Sequence, residues 1–413
     1  MFDFLRRSAS TGASAPEAKA SAVGPLVAGQ AGHVATGLAG RGAAMAAAHR
    51  VAWTARDTVS LSRAGFLGNP MGFRVVRMVS EAAAALPLVL QDAERRFDEH
   101  PLWTLIRRPN PVQGKAEFLE ALYAQLLLGG NAYVEAAEGD GSGLPGELHL
   151  LRGDRVSVVP GPDGWPAAYD YTVGTRKHRF SMTELAAPIC HIRSYHPLDD
   201  HYGLSPLEAA ATAIDVHNSA SRWSKALLDN AARPSGAIVF KGAEGQAQMS
   251  PEQFERLQTE MELHHQGARN AGRPMLLEGG LDWKPMGFSP SDMEFHKTKE
   301  SAAREICVAF GVPPMLAGVP GDATYANYQE ANRAFYRLTV LPLAAKVLGA
   351  LSYWLSGHMA AGAGEAVELR VDLDQVPALA TERDQQWRRV ADAAFLTEAE
   401  KRVLLGLPKV AEE

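Results

Sequence analysis

Four groupings in the sequence have residue types that could carry chemistry. Asp199 and Asp200, flanked by His196 and His201, place two carboxylates and two imidazoles in one Pro/Gly-rich loop. That is the raw material for an acid/base pair or a metal-assisted hydrolytic site; the alternative is a polar loop preceding a helix. Cys190 stands beside His191, which could stabilise a thiolate, although a lone cysteine usually behaves as a small buried hydrophobe. His264 and His265 are neighbours on an expected helix, where adjacent side chains diverge by about 100°, so they are a poor pair of metal ligands. Gly139, Gly141 and Gly143 follow an expected strand, but no helix opens after them, and they read as a hairpin loop rather than a dinucleotide site. No Gly-x4-Gly-Lys phosphate loop and no nucleophilic serine motif are present. The sequence therefore predicts no catalytic residue, no metal and no cofactor. A soluble hydrolase built on Asp199, Asp200 and His201 remains the alternative.

Composition narrows the remaining classes. The chain has 413 residues, 46% hydrophobic and 21% charged, enough for at least one large core. A net charge of −6 argues against wrapping nucleic acid through phosphate neutralisation, but not against a surface past which DNA slides. With two distant cysteines, neither a zinc site nor a disulfide framework can be read. No secretory signal and no run of about 18 apolar residues is found, so no membrane partner is expected.

Elements follow from periodicity and punctuation. Residues 1–48, rich in Ala, Gly and Ser, read as a flexible N-terminal arm. Helices are expected over 71–86, ended by Pro87, and over 115–128, closed by Gly129-Gly130-Asn131. A strand at 88–90 and strands at 132–136, 147–151, 156–160, 168–173 and 178–180 suggest a small antiparallel sheet. Ser205-Pro206-Leu207-Glu208 opens a helix running to about Ala232, roughly 40 Å long. A strand at 237–241 and a helix at 250–265 come next, then a hairpin of 275–277 with 281–285 turning at Gly279-Gly280. A helix from Ser291 ends at Gly311 before Pro313-Pro314. A helix over 325–355 should be kinked by Pro342. A strand at 367–373, a helix at 380–394 and a capping box at Thr397-Glu400 complete the chain, giving an α+β fold.

Several fragments recur in an order that resembles the portal proteins of tailed bacteriophages, in particular the lambdoid siphophage HK class. They are Arg108-Pro109-Asn110-Pro111, Leu128-Gly129-Gly130-Asn131-Ala132-Tyr133, Gly203-Leu204-Ser205-Pro206-Leu207 and Ala232-Arg233-Pro234-Ser235-Gly236. Ala309-Phe310-Gly311-Val312-Pro313-Pro314, Thr324-Tyr325-Ala326-Asn327 and Phe335-Tyr336-Arg337-Leu338-Thr339-Val340-Leu341-Pro342 follow. The likeness covers about 72–355 and continues more weakly to Pro408.

The resemblance implies a twelve-subunit ring with a central channel, at one capsid vertex of a virion, phage-like or gene transfer agent particle. It implies a wing over 49–204, a first stem helix over 205–233, a small α/β clip over 234–288 and a second stem helix over 289–311. A tunnel loop over 312–325, a kinked wing helix over 326–356, and a wing strand with a helical crown over 357–413 would complete the subunit. The implied partners are double-stranded DNA held transiently, further copies of the chain, the major capsid protein, the large terminase and a head–tail adaptor. The tunnel loop would present Ala317, Gly318, Val319, Gly321, Asp322, Ala323, Thr324, Tyr325 and Asn327, its glycines allowing motion. On the stem helices, Arg222, Lys225 and Arg233 could face Glu294, Glu300 and Glu305 within or between subunits; the plainer reading is i,i+4 pairing such as Glu300 with Arg304. Another virion protein such as an adaptor is the remaining alternative.

Overall fold

The computed structural model describes residues 53–92, 95–137, 144–182, 186–229, 236–240, 250–264, 281–285, 295–321, 324–361 and 367–407. The expected arm at 1–48 lies outside them, as do Gly139, Gly141, Gly143, His265 and the expected strand at 275–277. Residues from Trp53 onward form one compact unit.

The first half packs helices against strands. Helix α1 (Thr58–Ser62) runs into a π turn at Arg63–Leu67, and α2 (Pro70–Ala84) follows with Asn69 as its cap. Of the expected stripe Val75, Met78, Val79 and Ala82 on α2, the two valines are fully buried, with Val76 and Ala83, while Met78 and Ala82 are half-buried. Strand β1 (Leu88–Gln91) precedes α3 (Pro101–Arg107), a helix absent from the sequence expectation although Pro101 occupies its first turn. Helix α4 (Lys115–Gly129) buries Phe118, Leu119, Leu122 and Leu126.

The single small sheet expected is two. Strands β2 (Asn131–Ala137), β3 (Glu147–Leu151) and β7 (Ile189–Arg193) form one antiparallel sheet in the order β3-β2-β7. Strands β4 (Val156–Pro160), β5 (Pro166–Val173) and β6 (Arg176–Ser181) form the other. Strand β7 was not anticipated; its Ile189, Cys190 and Ile192 are buried, and a strand buried on both faces lacks the alternation that marks an exposed one. The face of β2 carrying Tyr133 joins Tyr169, Phe180 and Ile189 in a second, smaller core.

The expected continuous helix over 205–233 is divided. Helix α5 (Pro206–Ala209) ends at Ala210, whose ψ is −1°, and α6 (Ala211–Asp229) starts anew. At that point the Arg56 guanidinium reaches the Glu208 carbonyl and the Thr212 hydroxyl, both at 3.4 Å, drawing away an acceptor the helix would use. Residues 230–235 lie outside the described residues.

Strand β8 (Gly236–Phe240) pairs antiparallel with β9 (Leu281–Pro285), and α7 (Pro251–His264) lies between them in sequence. The described partner of 281–285 is a strand more than 40 residues earlier, while the expected hairpin with 275–277 lies outside the described residues. Local turn chemistry cannot encode such a pairing, which brings the chain out where it went in.

Helix α8 (Phe295–Ala309) packs along α6. Helix α9 (Tyr325–Phe335), a π turn (Tyr336–Val340) and α10 (Leu341–Ala361) then follow without interruption. The irregularity expected at Pro342 takes the form of this π turn. Proline lacks an N–H and crowds the carbonyl four residues back, here Leu338, and a widened turn relieves both problems. The stretch Ala326–Met359 is the one described helix long and apolar enough to cross a membrane by composition, where the sequence reading found none. Its Val340, Ala344, Val347, Leu348, Leu351 and Leu355 are buried in the main core.

Strand β10 (Glu368–Val371) returns to pair with β1, with Leu90 opposite Leu369. Helices α11 (Ala380–Ala391) and α12 (Glu398–Leu404) end the described chain, and the predicted capping box is formed: the Thr397 hydroxyl accepts from Glu400 N at 3.3 Å, and Glu400 Oε2 accepts from Thr397 N at 2.8 Å.

Gly130 caps α4 at φ 70°, and a Cβ there would lie 2.2 Å from the Gly203 carbonyl oxygen. Gly130→Ala is expected to destabilise the fold by about 3 kcal/mol or more, read as a lower urea midpoint at unchanged slope.

Candidate functional site

The α6/α8 hairpin and the loop after it form the candidate site, held where the chain enters and where it leaves the hairpin by clasps built from the motif fragments. In the first clasp, Asn131 Oδ1 accepts from Gly203 N at 2.8 Å and meets His191 Nε2 at 2.9 Å, while Asn131 Nδ2 donates to the Gly129 carbonyl at 2.8 Å. Ser194 N donates to the Gly130 carbonyl at 2.8 Å. This ties the end of α4 to the segment entering α5, 72 residues away. In the second clasp, the Thr339 hydroxyl donates to the Gly311 carbonyl at 2.6 Å, joining the end of α8 to the π turn. Gly311 has φ 66°, and a Cβ there would meet Thr339 Oγ1 at 2.6 Å. None of the clasp roles of Asn131, Gly203 or Thr339 was read from the sequence; all three lie in quoted fragments, but a fragment does not say what it touches.

Between the clasps, Ala211, Ala213, Ile214 and Ala220 of α6 and Ala302, Ala303, Ile306 and Cys307 of α8 are buried. Towards the far end, Trp223 stacks on Phe295 with ring centroids 3.8 Å apart. Two of the charged residues have partners on their own helices. Arg222 donates to the Ser219 hydroxyl at 3.1 Å, and Arg304 pairs with Glu300 at 2.7 Å. Lys225 and Glu305 are exposed, and Arg233 and Glu294 lie outside the described residues. The structure thus gives the plainer pairing for Glu300, and sets an aromatic contact between the two helices.

The loop after α8 is more tightly held than its glycines suggest. Val319 N donates to the Pro314 carbonyl at 3.0 Å, Leu316 N to Pro313 at 2.9 Å and Ala317 N to Pro314 at 3.1 Å. Leu316 and Val319 are buried in the main core, Ala317 is half-buried, and Arg304 donates to the Pro320 carbonyl. Val319 is therefore buried and anchors the loop, where an exposed position was expected. Gly318, Pro320, Gly321, Thr324 and Asn327 are exposed, with Gly318 at φ 88°; Asp322 and Ala323 lie outside the described residues. The Thr324 hydroxyl accepts from Asn327 N at 3.2 Å and so starts α9, of which Tyr325 is the first residue.

The chemical groupings are spent on structure. Asp199 Oδ1 accepts from His201 N at 2.7 Å and Tyr202 N at 2.9 Å, and these bonds hold its carboxyl below the usual range. His196 accepts from Leu198 N at 3.0 Å, and the Asp200 carbonyl accepts from Arg193. Cys190 and His191 are adjacent on β7, so their side chains leave opposite faces. Cys190 enters the main core, where burial pushes its thiol up to about 12. His191 stacks on Tyr133 with centroids 4.3 Å apart. Among the described residues no cluster of three or more His, Cys, Asp or Glu could hold a metal.

This arrangement of hairpin, loop and long interrupted helix has known counterparts. The phage portal protein family matches residues 70–406, and the chain belongs to that family. Among its relatives, an uncharacterised protein of Rickettsia bellii is 39% identical over 345 residues, covering 83% of this chain and 87% of the relative. The portal protein of Enterobacteria phage HK97 is 26% identical over 293 residues, covering 68% and 66%. A solved chain in the neck of a native gene transfer agent particle, determined with C12 symmetry, is 65% identical; the match covers 91% of this chain and 100% of that one, with a TM-score of 0.65.

Burial, with smaller contributions from Arg193 and His201, lowers the His191 imidazole to about 4. The unfolded chain binds a proton near pH 6.5 that the folded chain refuses. Stability should therefore be intact above 6.5 and fall by up to about 3 kcal/mol as pH drops towards 4. Denaturant titrations at several pH values should show a shallower fall for His191→Gln.

Proposed function

We propose that this chain is the subunit of a dodecameric portal ring at one vertex of a gene transfer agent, phage or prophage particle, where it forms the channel for DNA entry and exit. The observation that carries this reading is the likeness, over nine-tenths of the chain, to a subunit of the twelve-fold neck of a gene transfer agent particle. In this reading α6 and α8 are the stem, β8, α7 and β9 belong to an outward clip, and the exposed tip between Pro320 and Asn327 is the part of the tunnel loop nearest the duplex. The protein carries out no reaction; a large terminase drives the DNA, and the major capsid protein and a head–tail adaptor dock on other faces.

Two features support a conduit rather than a grip. Asp322 is the single charge between Gly311 and Asn327, so the loop has no cation to hold phosphate. The stem is stiffened by close small-residue packing and the Trp223–Phe295 stack rather than by a basic lining.

Mass measurement of the purified full chain should give a species twelve times the subunit mass, with an annulus in electron micrographs. A monomer at every concentration would refute the ring. With Asp322→Lys and Ala323→Lys together, the ring should form normally while the titre of DNA-filled particles drops; an unchanged titre would count against the loop assignment.

A further inference from the structure

A cavity of about 450 Å³ opens between α1, the first π turn, α4, β2 and the turn at Gly153. Val59, Leu67 and Leu128 give it apolar walls, and Arg63 stands at its edge. Two of its lining residues carry buried polar atoms with no hydrogen-bond partner: the Tyr133 hydroxyl, on a side chain only 1% exposed, and Gln125 Oε1. Several other polar groups around the cavity are engaged. Asn131 serves the first clasp, the Tyr202 hydroxyl accepts from Val158 N at 2.9 Å, and Arg152 grips Asp154 through two bonds of 3.0 and 2.8 Å. A buried amide oxygen without a donor is costly, and a family member would rarely keep one unless something fills the space. The missing occupant needs an apolar body and an N–H or O–H donor.

Such a group stands on the same molecule. Trp165 is 70% exposed at the turn between β4 and β5. The turn's backbone is ordered there: Gly161 N donates to the Trp165 carbonyl at 2.6 Å, and Trp165 N donates to Asp163 Oδ1 at 3.1 Å. Its indole N–H, a donor with no acceptor capacity, has no partner among the described residues. The subunit cannot insert its own Trp165. Strand β4, about 16 Å long and paired to β5, separates the turn from the Arg152–Asp154 edge of the cavity.

We propose that Trp165 of one subunit seats in this cavity on the adjacent copy, its indole N–H donating to Gln125 Oε1 and its ring lying against Val59, Leu67 and Leu128. The inference rests on the ring reading above and names one of its subunit contacts. A projecting group meeting an unlike hollow is a head-to-tail contact, the kind that closes into a ring when repeated through a fixed rotation. A preorganised tryptophan entering an apolar pocket is also the commonest form of interface anchor.

The test uses the full chain carrying Trp165→Cys and Val59→Cys, oxidised mildly at concentrations well above assembly. Cys190 and Cys307 are buried and should stay silent. The expected result is a ladder of covalent oligomers that neither single variant gives. Trp165→Ala, at an exposed turn, should leave the urea midpoint unchanged but raise the concentration for half-assembly about tenfold or more, with Trp165→Phe in between. A ring of full mass that gives no ladder and assembles equally well with Trp165→Ala would overturn this contact and leave the ring reading standing. Failure of the unmodified chain to form any ring would instead remove the reading on which it rests.

Discussion

Two backbones touch at Gly130 and Gly203 with no side chain between them, and much of the fold is arranged around that contact. A Cβ at either position would lie about 2 Å from the opposing carbonyl oxygen. Because the approach is so close, one asparagine amide can serve the α4 terminus, the start of β2 and the strand that leads to α5 at once. That fixes where β7 pairs with β2 and the point from which the α6/α8 hairpin departs. The Gly311–Thr339 bond repeats the device where the chain leaves the hairpin, again with a left-handed glycine where a side chain would intrude. The excursion from β8 to β9 hangs from the far end of a lever anchored twice.

The sequence revealed what is local and hid what is not. Pro206, Ser250, Gly311 and the Thr397-Glu400 pair mark helix ends by chemistry within four residues, and those ends are where they were expected. The stripes on α2 and α4 were equally plain. Strand β7 was hidden because Ile189, Cys190 and Ile192 are buried on both faces. The pairing of β1 with β10, nearly 280 residues apart, has no local signature at all. The break at Ala210 falls where Arg56, more than 150 residues upstream, contacts the Glu208 carbonyl. At the candidate site, the fragments resembling portal proteins were recognisable as words, while their meaning lay in which fragment faced which. The immobility of Val319 was unreadable for the same reason: its glycine neighbours advertise freedom, but the core partner that cancels it is distant in sequence.

Groups that might have suggested an enzyme are instead consumed as joints. Asp199 closes a turn, His191 is locked between two tyrosines and an asparagine, and buried Asp215 receives the Thr54 backbone N–H at 3.0 Å, holding the start of the described chain against α6. Some large apolar side chains do stay exposed: Val308 on α8, Leu338 in the π turn, and Tyr353 on α10 are 72%, 68% and 86% exposed.

The π turn at Tyr336–Val340 has a geometric effect beyond accommodating Pro342. Such a turn acts as one residue slipped into an α-helix, and one residue corresponds to about 100° of rotation. The faces of α9 and α10 are therefore out of phase by roughly a quarter turn, although the rod is unbroken. One continuous beam can present its polar side to one set of surroundings along α9 and its apolar side to another along α10. Deleting a single residue here would leave its length almost unchanged and turn half of it to the wrong neighbours.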